Sequence, residues 1–413
     1  MLPMHSYRSA RGPDLVVPPF GRHESDIGML PGAFKSREAF RNAAAADFFR
    51  RSLAPEFRML TLRSTPDNPV PPGGVLVPVR TADGCALRVA YWRPAGRATK
   101  GTVCLLQGRA EFIEKYYETV RELLARGFCV VAFDWRGQGE SGRRVNDPRK
   151  GHVGRFDEYR LDLKAVAETV LVPLMPEPHA CLAHSMGGCV ALTGAHDGWL
   201  PFARLVTVAP MLSIRMVTWP AGASGLARAL KALGLGRCFV PRLSRVMPFP
   251  LLLGLVGRVT GRQYIPHDPG ASIATMPYPG NRLSRDPVRY ARNAAAARAV
   301  GAGAVGDPTV GWLAAAFRAM ARLRDPRVPA RITIPTLIVG AGADPVCGTP
   351  AAERFGARMK AGDILVLPDA RHEILSERDA IRQDFWAAFD AFVPGSPVPK
   401  AAETEPRAAA MAG

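Results

Sequence analysis

No run of apolar residues in this 413-residue chain approaches the ~20 that a helix needs to cross a bilayer. The longest candidate, FPLLLGLVG from Phe249 to Gly257, stops at Arg258, which argues against a transmembrane helix. The first residues, MLPMHSYRSARGPDL, place no apolar core behind a basic start, so no secretory signal is visible and the expected location is the cytoplasm. Cysteine is sparse and odd in number. The seven residues include no CxxC pair, and several sit in apolar runs such as VCLLQ and FCVVAF, which excludes a disulfide scaffold and the common zinc spacing and points to buried, inert thiols. Acidic residues are also scarce, 36 against 54 Lys and Arg, for a net charge of +18. Most of that excess lies between Met211 and Ala330, where 17 basic residues face four acids (Asp268, Asp286, Asp307, Asp325). Such a surplus favours anionic partners. Nucleic acid is not expected among them, because no aromatic-basic motif or known binding module accompanies the charge.

What is present is the composition of an ordinary globular protein, 47% hydrophobic and 22% charged, long enough for one large core and an appended subdomain. Residues 1–55 mix Pro, Gly, Arg and Ala without sustained periodicity and read as an extension, with a short helix over SREAFRNAAAADFFRRSLA. Order begins with two alternating runs around Asp83-Gly84, the signal for a hairpin. Strand-length runs follow, GTVCLLQ, FCVVAFDW, ACLAHS, RLVTVAP, PTLIVG and DILVLP, mostly separated by helical patterns such as EKYYETVRELLARG. That alternation predicts a mostly parallel sheet with helices on both faces. One interval, 211–330, is too long for a simple connection and is expected to form a cap, splitting the core into 56–210 and 331–393. Residues 394–413 have little apolar content and are expected to be disordered.

The chemistry concentrates at Ala183-His184-Ser185-Met186-Gly187-Gly188, between a strand and a helix. A serine on so sharp a turn projects its hydroxyl clear of the sheet, and the turn needs small residues on either side. A hydroxyl is a weak nucleophile until a base takes its proton, and that base must be held in one tautomer by a carboxylate. Asp344, in GAGADPVC after PTLIVG, and His372, in DARHEIL after DILVLP, supply both. Loops at the carboxyl ends of parallel strands share one edge of the sheet, so Ser185, Asp344 and His372 can converge. An oxyanion needs backbone N–H donors. Met186 offers one, and the loop Gln107-Gly108-Arg109-Ala110 offers the second, with Arg109 preferred over Gly108 and its side chain expected to be a surface charge. Asp134 is expected to bond the following turn, His184 to pack or hydrogen-bond locally, His152 and His267 to line the pocket or, as lone histidines usually do, to be surface or satisfied core groups, and Glu373 and Asp369 to be solvated charges.

With Gln107-Gly108-Arg109-Ala110-Glu111, the stretch Phe133 to Ser141 (FDWRGQGES) and the Ser185 elbow in this order, residues 58–393 resemble the lysophospholipase and monoacylglycerol lipase branch of the α/β-hydrolases. The resemblance implies an α/β-hydrolase fold: a mostly parallel eight-stranded sheet flanked by helices, with an inserted, mainly helical cap. It implies hydrolysis of an ester on a single-chain lipid, with Ser185, Asp344 and His372 matching the triad and Arg109 and Met186 the oxyanion amides. No cofactor or metal is required. The expected partner is a lipid or ester substrate, with peripheral contact of the basic cap to an anionic membrane. A small-ester carboxylesterase or an acyltransferase would use the same triad, and a non-catalytic binding protein would not need it. Two departures stand out: Gln107 replaces a frequent histidine, and Ala183 the usual glycine.

Overall fold

The continuous apolar runs GTVCLLQ, FCVVAFDW and ACLAHS become the central strands of one sheet. The computed structural model describes residues 60–96, 99–215, 222–238 and 270–396. The N-terminal extension with its expected helix, the Phe249 to Gly257 run, His267 and the tail beyond 396 lie outside the described residues. The strands are β1 (Val75–Arg80), β2 (Ala86–Trp92), β3 (Thr102–Leu106), β4 (Cys129–Phe133), β5 (His179–His184), β6 (Arg204–Val208), β7 (Thr336–Ala341) and β8 (Gly362–Leu367). They form one open sheet in the order β1-β2-β4-β3-β5-β6-β7-β8. β2 is antiparallel to both neighbours, β1 and β4, and every other pair is parallel. The hairpin turns at Gly84, whose φ of +82° suits a residue without a β-carbon.

β3, β4 and β5 are buried at every residue, as expected of strands covered on both faces. Successive side chains serve opposite layers. Cys104, Leu106, Cys181 and Ala183 face one core, packed with Tyr159 and Leu163 of helix α2 (Asp157–Val166) and Ala191 of α3 (Met186–His196). Val103, Leu105, Ala180 and Leu182 face the other, packed with Tyr117 and Val120 of α1 (Tyr117–Ala125) and Phe385 and Phe389 of α9 (Asp379–Phe392). The seven cysteines are free; five are buried, Cys85 is half-buried and Cys238 is exposed. Burial pushes the Cys104 and Cys189 thiols up to about 12, which keeps them protonated and inert.

Between β6 and β7 lie α4 (Gly222–Ala232), α5 (Pro287–Val300), α6 (Val310–Leu323) and the short α7 (Arg327–Arg331). The stretch expected as a cap, 211–330, is not uniform. Trp312, Leu313, Ala316, Met320 and Leu323 of α6 belong to the same core cluster as α2 and α3, so the C-terminal end of the stretch packs into the main core. Alanine-rich amphipathic helices look alike in sequence whether they cover a sheet or a pocket. α5 instead shares a small cluster with Phe112 and Ala274. α8 (Thr349–Gly356) joins β7 to β8. No helix of the described residues is long and apolar enough to cross a membrane.

Candidate active site

β5 runs straight into Ser185, which takes φ +50° and ψ −110° before α3 begins at Met186. A residue with a β-carbon adopts such a conformation only when its surroundings impose it. Here they do: the Ser185 N–H donates to the Val208 carbonyl at 3.0 Å, and its own carbonyl accepts from Met211 N–H at 2.9 Å and Cys189 N–H at 3.1 Å. The turn is equally tight behind the serine. A β-carbon on Gly187 would collide with the Leu106 carbonyl oxygen, and one on Gly188 would come within 3.0 Å of Pro210 Cβ. Ala183, fully buried, shows that one methyl fits where glycine is usual.

The three residues read from sequence meet at the carboxyl edge of the sheet. Ser185 Oγ lies 3.0 Å from His372 Nε2, and His372 Nδ1 lies 2.7 Å from Asp344 Oδ2. All three are buried. An ionised carboxylate only accepts, so Nδ1 carries the proton and Nε2 is left with a lone pair toward the serine hydroxyl. The other Asp344 oxygen accepts from Val346 N–H at 2.7 Å and Cys347 N–H at 2.9 Å. Burial alone would raise the Asp344 carboxyl; the facing His372 ring and these two amides outweigh it and hold the group below its ordinary range. Cys347 is a close neighbour, and with Asp344 and His372 it places three ligand-type atoms within 4.8 Å of one another. The carboxylate and imidazole of that trio are already bonded to each other. Burial drives the Cys347 thiol well above its usual value, so it is a neutral neighbour of the serine and no rival to it.

The loop after β3 is shaped by side chains from the FDWRGQGES stretch. Gln138 accepts from Ala110 N–H at 3.0 Å and donates to the Gly108 and Glu111 carbonyls at 3.0 and 3.1 Å. The Trp135 indole donates to the Gln107 carbonyl at 2.9 Å. The Gly108 N–H is occupied by the Glu111 carboxylate. Among the described residues, the Arg109 and Met186 N–H groups have no acceptor, which leaves both available as donors. The buried Gln107 amide, standing where histidine is frequent, finds no partner among the described residues.

Beneath this loop lies a buried network that local sequence patterns do not announce. Glu111 accepts from the Tyr116 hydroxyl at 2.6 Å and pairs with Lys115 at 2.6 Å, and Lys115 also reaches Glu373 at 2.6 Å. His184 Nδ1 lies 3.1 Å from the Glu111 carboxylate, and its Nε2 lies 3.1 Å from the His372 carbonyl. Both ring nitrogens face atoms that only accept, so the ring is doubly protonated. Burial opposes that charge, but Glu111 outweighs it and raises His184, while His184 and Lys115 hold Glu111 well down against its own burial. His184 thus ties the loop after β3 to the loop that carries His372, a longer reach than the local packing or hydrogen bonding expected of it. Glu373 is a correction too: expected in solvent, it is buried against Lys115.

Other residues fall as follows. Asp134 bonds the turn through Glu140 N–H at 2.8 Å, as its position suggests, and also holds Ile113 N–H and the buried Arg88. Asp369 is exposed, 3.2 Å from Arg285. His152 bonds Thr309 at 2.9 Å. The Arg109 side chain is not the surface charge expected of it. It is half-buried, donates to the Gly306 carbonyl at 2.6 Å and lies 5.1 Å over the Trp312 ring.

Residues 97–379 match the hydrolase family described as serine aminopeptidase, S33. The chain belongs to this family. Within it, the chain is 29% identical over 300 residues to lysophospholipase L2 of Escherichia coli K12, covering 68% of this chain and 76% of that protein. It is 30% identical over 132 residues to the human monoglyceride lipase, covering 32% and 41%. A soluble variant of the Saccharomyces cerevisiae monoglyceride lipase, solved with a substrate analogue, superposes with a TM-score of 0.57 at 17% identity over 77% of this chain and 96% of that one, which supports the fold. The chain is therefore an α/β-hydrolase of the lysophospholipase and monoacylglycerol lipase branch, and by class an ester hydrolase.

Proposed function

We propose that this hydrolase cleaves the carboxylic ester of single-chain lipids, lysophospholipids or monoacylglycerols, through an acyl-enzyme on Ser185. The observation that carries the reading is the continuous chain of bonds from Ser185 Oγ through His372 to Asp344, at 3.0 and 2.7 Å. His372 Nε2 takes the serine proton as Oγ bonds to the ester carbonyl carbon. The carbonyl π pair moves to oxygen, and the Arg109 and Met186 amides stabilise the charge. When the intermediate collapses, the C–O bond to glycerol breaks and the leaving alkoxide takes the proton from His372. Water then attacks the acyl-enzyme by the same route, giving Nε2 a proton that returns to Ser185 as the fatty acid departs. Asp344 keeps the imidazole in the tautomer that both halves need and stabilises the imidazolium between them.

The lipid half of the reading draws on the names of the relatives, a lysophospholipase and a monoglyceride lipase, and on the basic surplus of 211–330, which favours approach to anionic lipid surfaces. The test is fatty acid release from a panel of long-chain lysophospholipids, monoacylglycerols and short esters, using wild type beside Ser185→Ala. Long-chain turnover that falls by about 10⁴-fold or more in the variant is the expected result. Turnover confined to short esters would overturn the lipid assignment. Binding to anionic vesicles at low salt, lost as salt rises, is the expected sign of surface contact.

A further inference from the structure

We infer that the Arg109 side chain is a specificity determinant that binds the phosphate of a lysophospholipid, so that an anionic substrate is preferred over its neutral monoacylglycerol counterpart. This rests on the proposed ester hydrolysis at Ser185 and names a substrate class within it. Four observations converge. First, the cation belongs to the loop after β3 whose Arg109 amide, without an acceptor among the described residues, the proposed mechanism assigns to the ester's carbonyl oxygen, and on that reading its stem starts at the scissile ester. Second, it is half-buried and has no carboxylate partner: among the described residues its contacts are the Gly306 carbonyl at 2.6 Å and the Trp312 face at 5.1 Å, and its Nε is buried with no acceptor. The buried arginines Arg88 and Arg136 are neutralised directly, by Glu114 and Asp134 and by Asp83 and Asp162, while half-buried Arg143 spends its donors on the carbonyls of Gln138, Gly139 and Ser141. Burial draws Arg109 down to about 10, with Tyr159 and Asp307 opposing through their fields, and it remains a cation at neutral pH.

Third, the lengths agree. From the ester carbonyl carbon to phosphorus, a lysophospholipid spans about six bonds, on the order of 7 Å extended, and an arginine spans about the same from backbone nitrogen to guanidinium carbon. A substrate with its carbonyl oxygen on the Arg109 amide therefore has a phosphate within reach of the same residue's guanidinium. Fourth, the guanidinium fork is built for phosphate oxygens, and stacking on Trp312 fixes its plane in advance. The Nζ point charge of a lysine would lack that fork.

The inference is tested with 1-oleoyl lysophosphatidylglycerol and 1-monooleoylglycerol, which share the acyl chain and differ in the anionic phosphate headgroup. The readout is the ratio of their kcat/KM values, which normalises any general damage to the loop. Arg109→Gln is expected to lower the lysophospholipid-to-monoacylglycerol ratio by about tenfold or more, chiefly through the lysophospholipid KM, and Arg109→Lys to fall between. A ratio within about twofold of wild type, with both lipids turned over, overturns the proposal and leaves Arg109 as a tether for Gly306. No Ser185-dependent release from either lipid by wild type overturns the ester-lipase reading itself, and this inference with it. If Arg109→Gln does not fold, wild type alone decides: sn-glycerol 3-phosphate should inhibit p-nitrophenyl butyrate hydrolysis at about tenfold lower concentration than glycerol, and equal inhibition overturns the proposal.

Discussion

α5 and α6 are both 14-residue helices of the stretch between β6 and β7, yet they brace different halves of the site by different physics. α6 holds the Arg109 loop by packing. Its Trp312 is buried, bonds the Tyr159 hydroxyl at 3.0 Å and carries the Arg109 guanidinium on its face. α5 and the turn before it hold the histidine loop by polar contacts. The Leu283 carbonyl accepts from Glu373 N–H at 2.8 Å, the Ser284 hydroxyl donates to the Ser376 carbonyl at 2.5 Å, and Asn293 donates to the Ser376 hydroxyl at 3.1 Å. The helix itself is pinned to α1 and α9 by charge, with Arg289 and Arg292 on Glu118 and Arg289 also on Asp379. A helix held by apolar area is indifferent to salt and mild acid, whereas one held by carboxylates loses its anchor when they protonate.

The largest break in that comparison is Trp312→Ala. It should cost about 3–5 kcal/mol, read as a lower midpoint in urea unfolding, and at equal folded fraction it should also lower kcat by loosening the Arg109 loop. Glu118→Gln is expected to cost less, about 1–3 kcal/mol, because it leaves a cluster of half-buried arginines without their shared acceptor. The same residue sharpens the comparison through pH. Burial pushes Glu118 up, but Arg289 and Arg292 outweigh it and hold it at about 2, against an ordinary 4.5. A depressed carboxyl stabilises the fold fully above its unfolded value and loses that contribution as pH falls from about 4.5 toward 2. Thermal melts of wild type should therefore drop more steeply over that window than melts of Glu118→Gln, and equal slopes would show that the α5 anchor is not electrostatic. The smallest effect is at the N-terminus of α5, where the Asp286 carboxylate accepts from Val288 and Arg289 N–H at 2.9 Å each. Asp286→Ala should cost about 1 kcal/mol, with Asp286→Asn recovering most of it.

Sequence reasoning reached what the chemistry dictates and stopped where only folding brings residues together. Ser185, Asp344 and His372 were legible because each follows a strand-length apolar run, and the geometry of a parallel sheet delivers those ends to one edge. Asp83-Gly84 was legible because its turn is local. Glu373 was misread because its partner, Lys115, is 258 residues away, and a charge next to His372 resembles any surface charge. Gln138 is a stronger clue than its place in FDWRGQGES alone suggests, because its amide clamps three backbone groups of the loop after β3. The extent of the cap was illegible for a different reason. The burial of α6 depends on what covers it, and its pattern VGWLAAAFRAMARL specifies only that one face is apolar.

The bonds around Ser185 carry a practical corollary for protein engineering. Its N–H and carbonyl are both fastened to residues 208–211, which close β6 just before the inserted stretch begins. The position of the Ser185 hydroxyl is thus written into two adjacent strands, and a donor segment spliced in after residue 215 inherits a hydroxyl that is already aimed. Chimeras that exchange residues 216–270 while retaining α5 and α6 should keep reactivity toward a small fluorophosphonate even where their choice of ester changes, making the scaffold a chassis on which selectivity can be rewritten separately from reactivity.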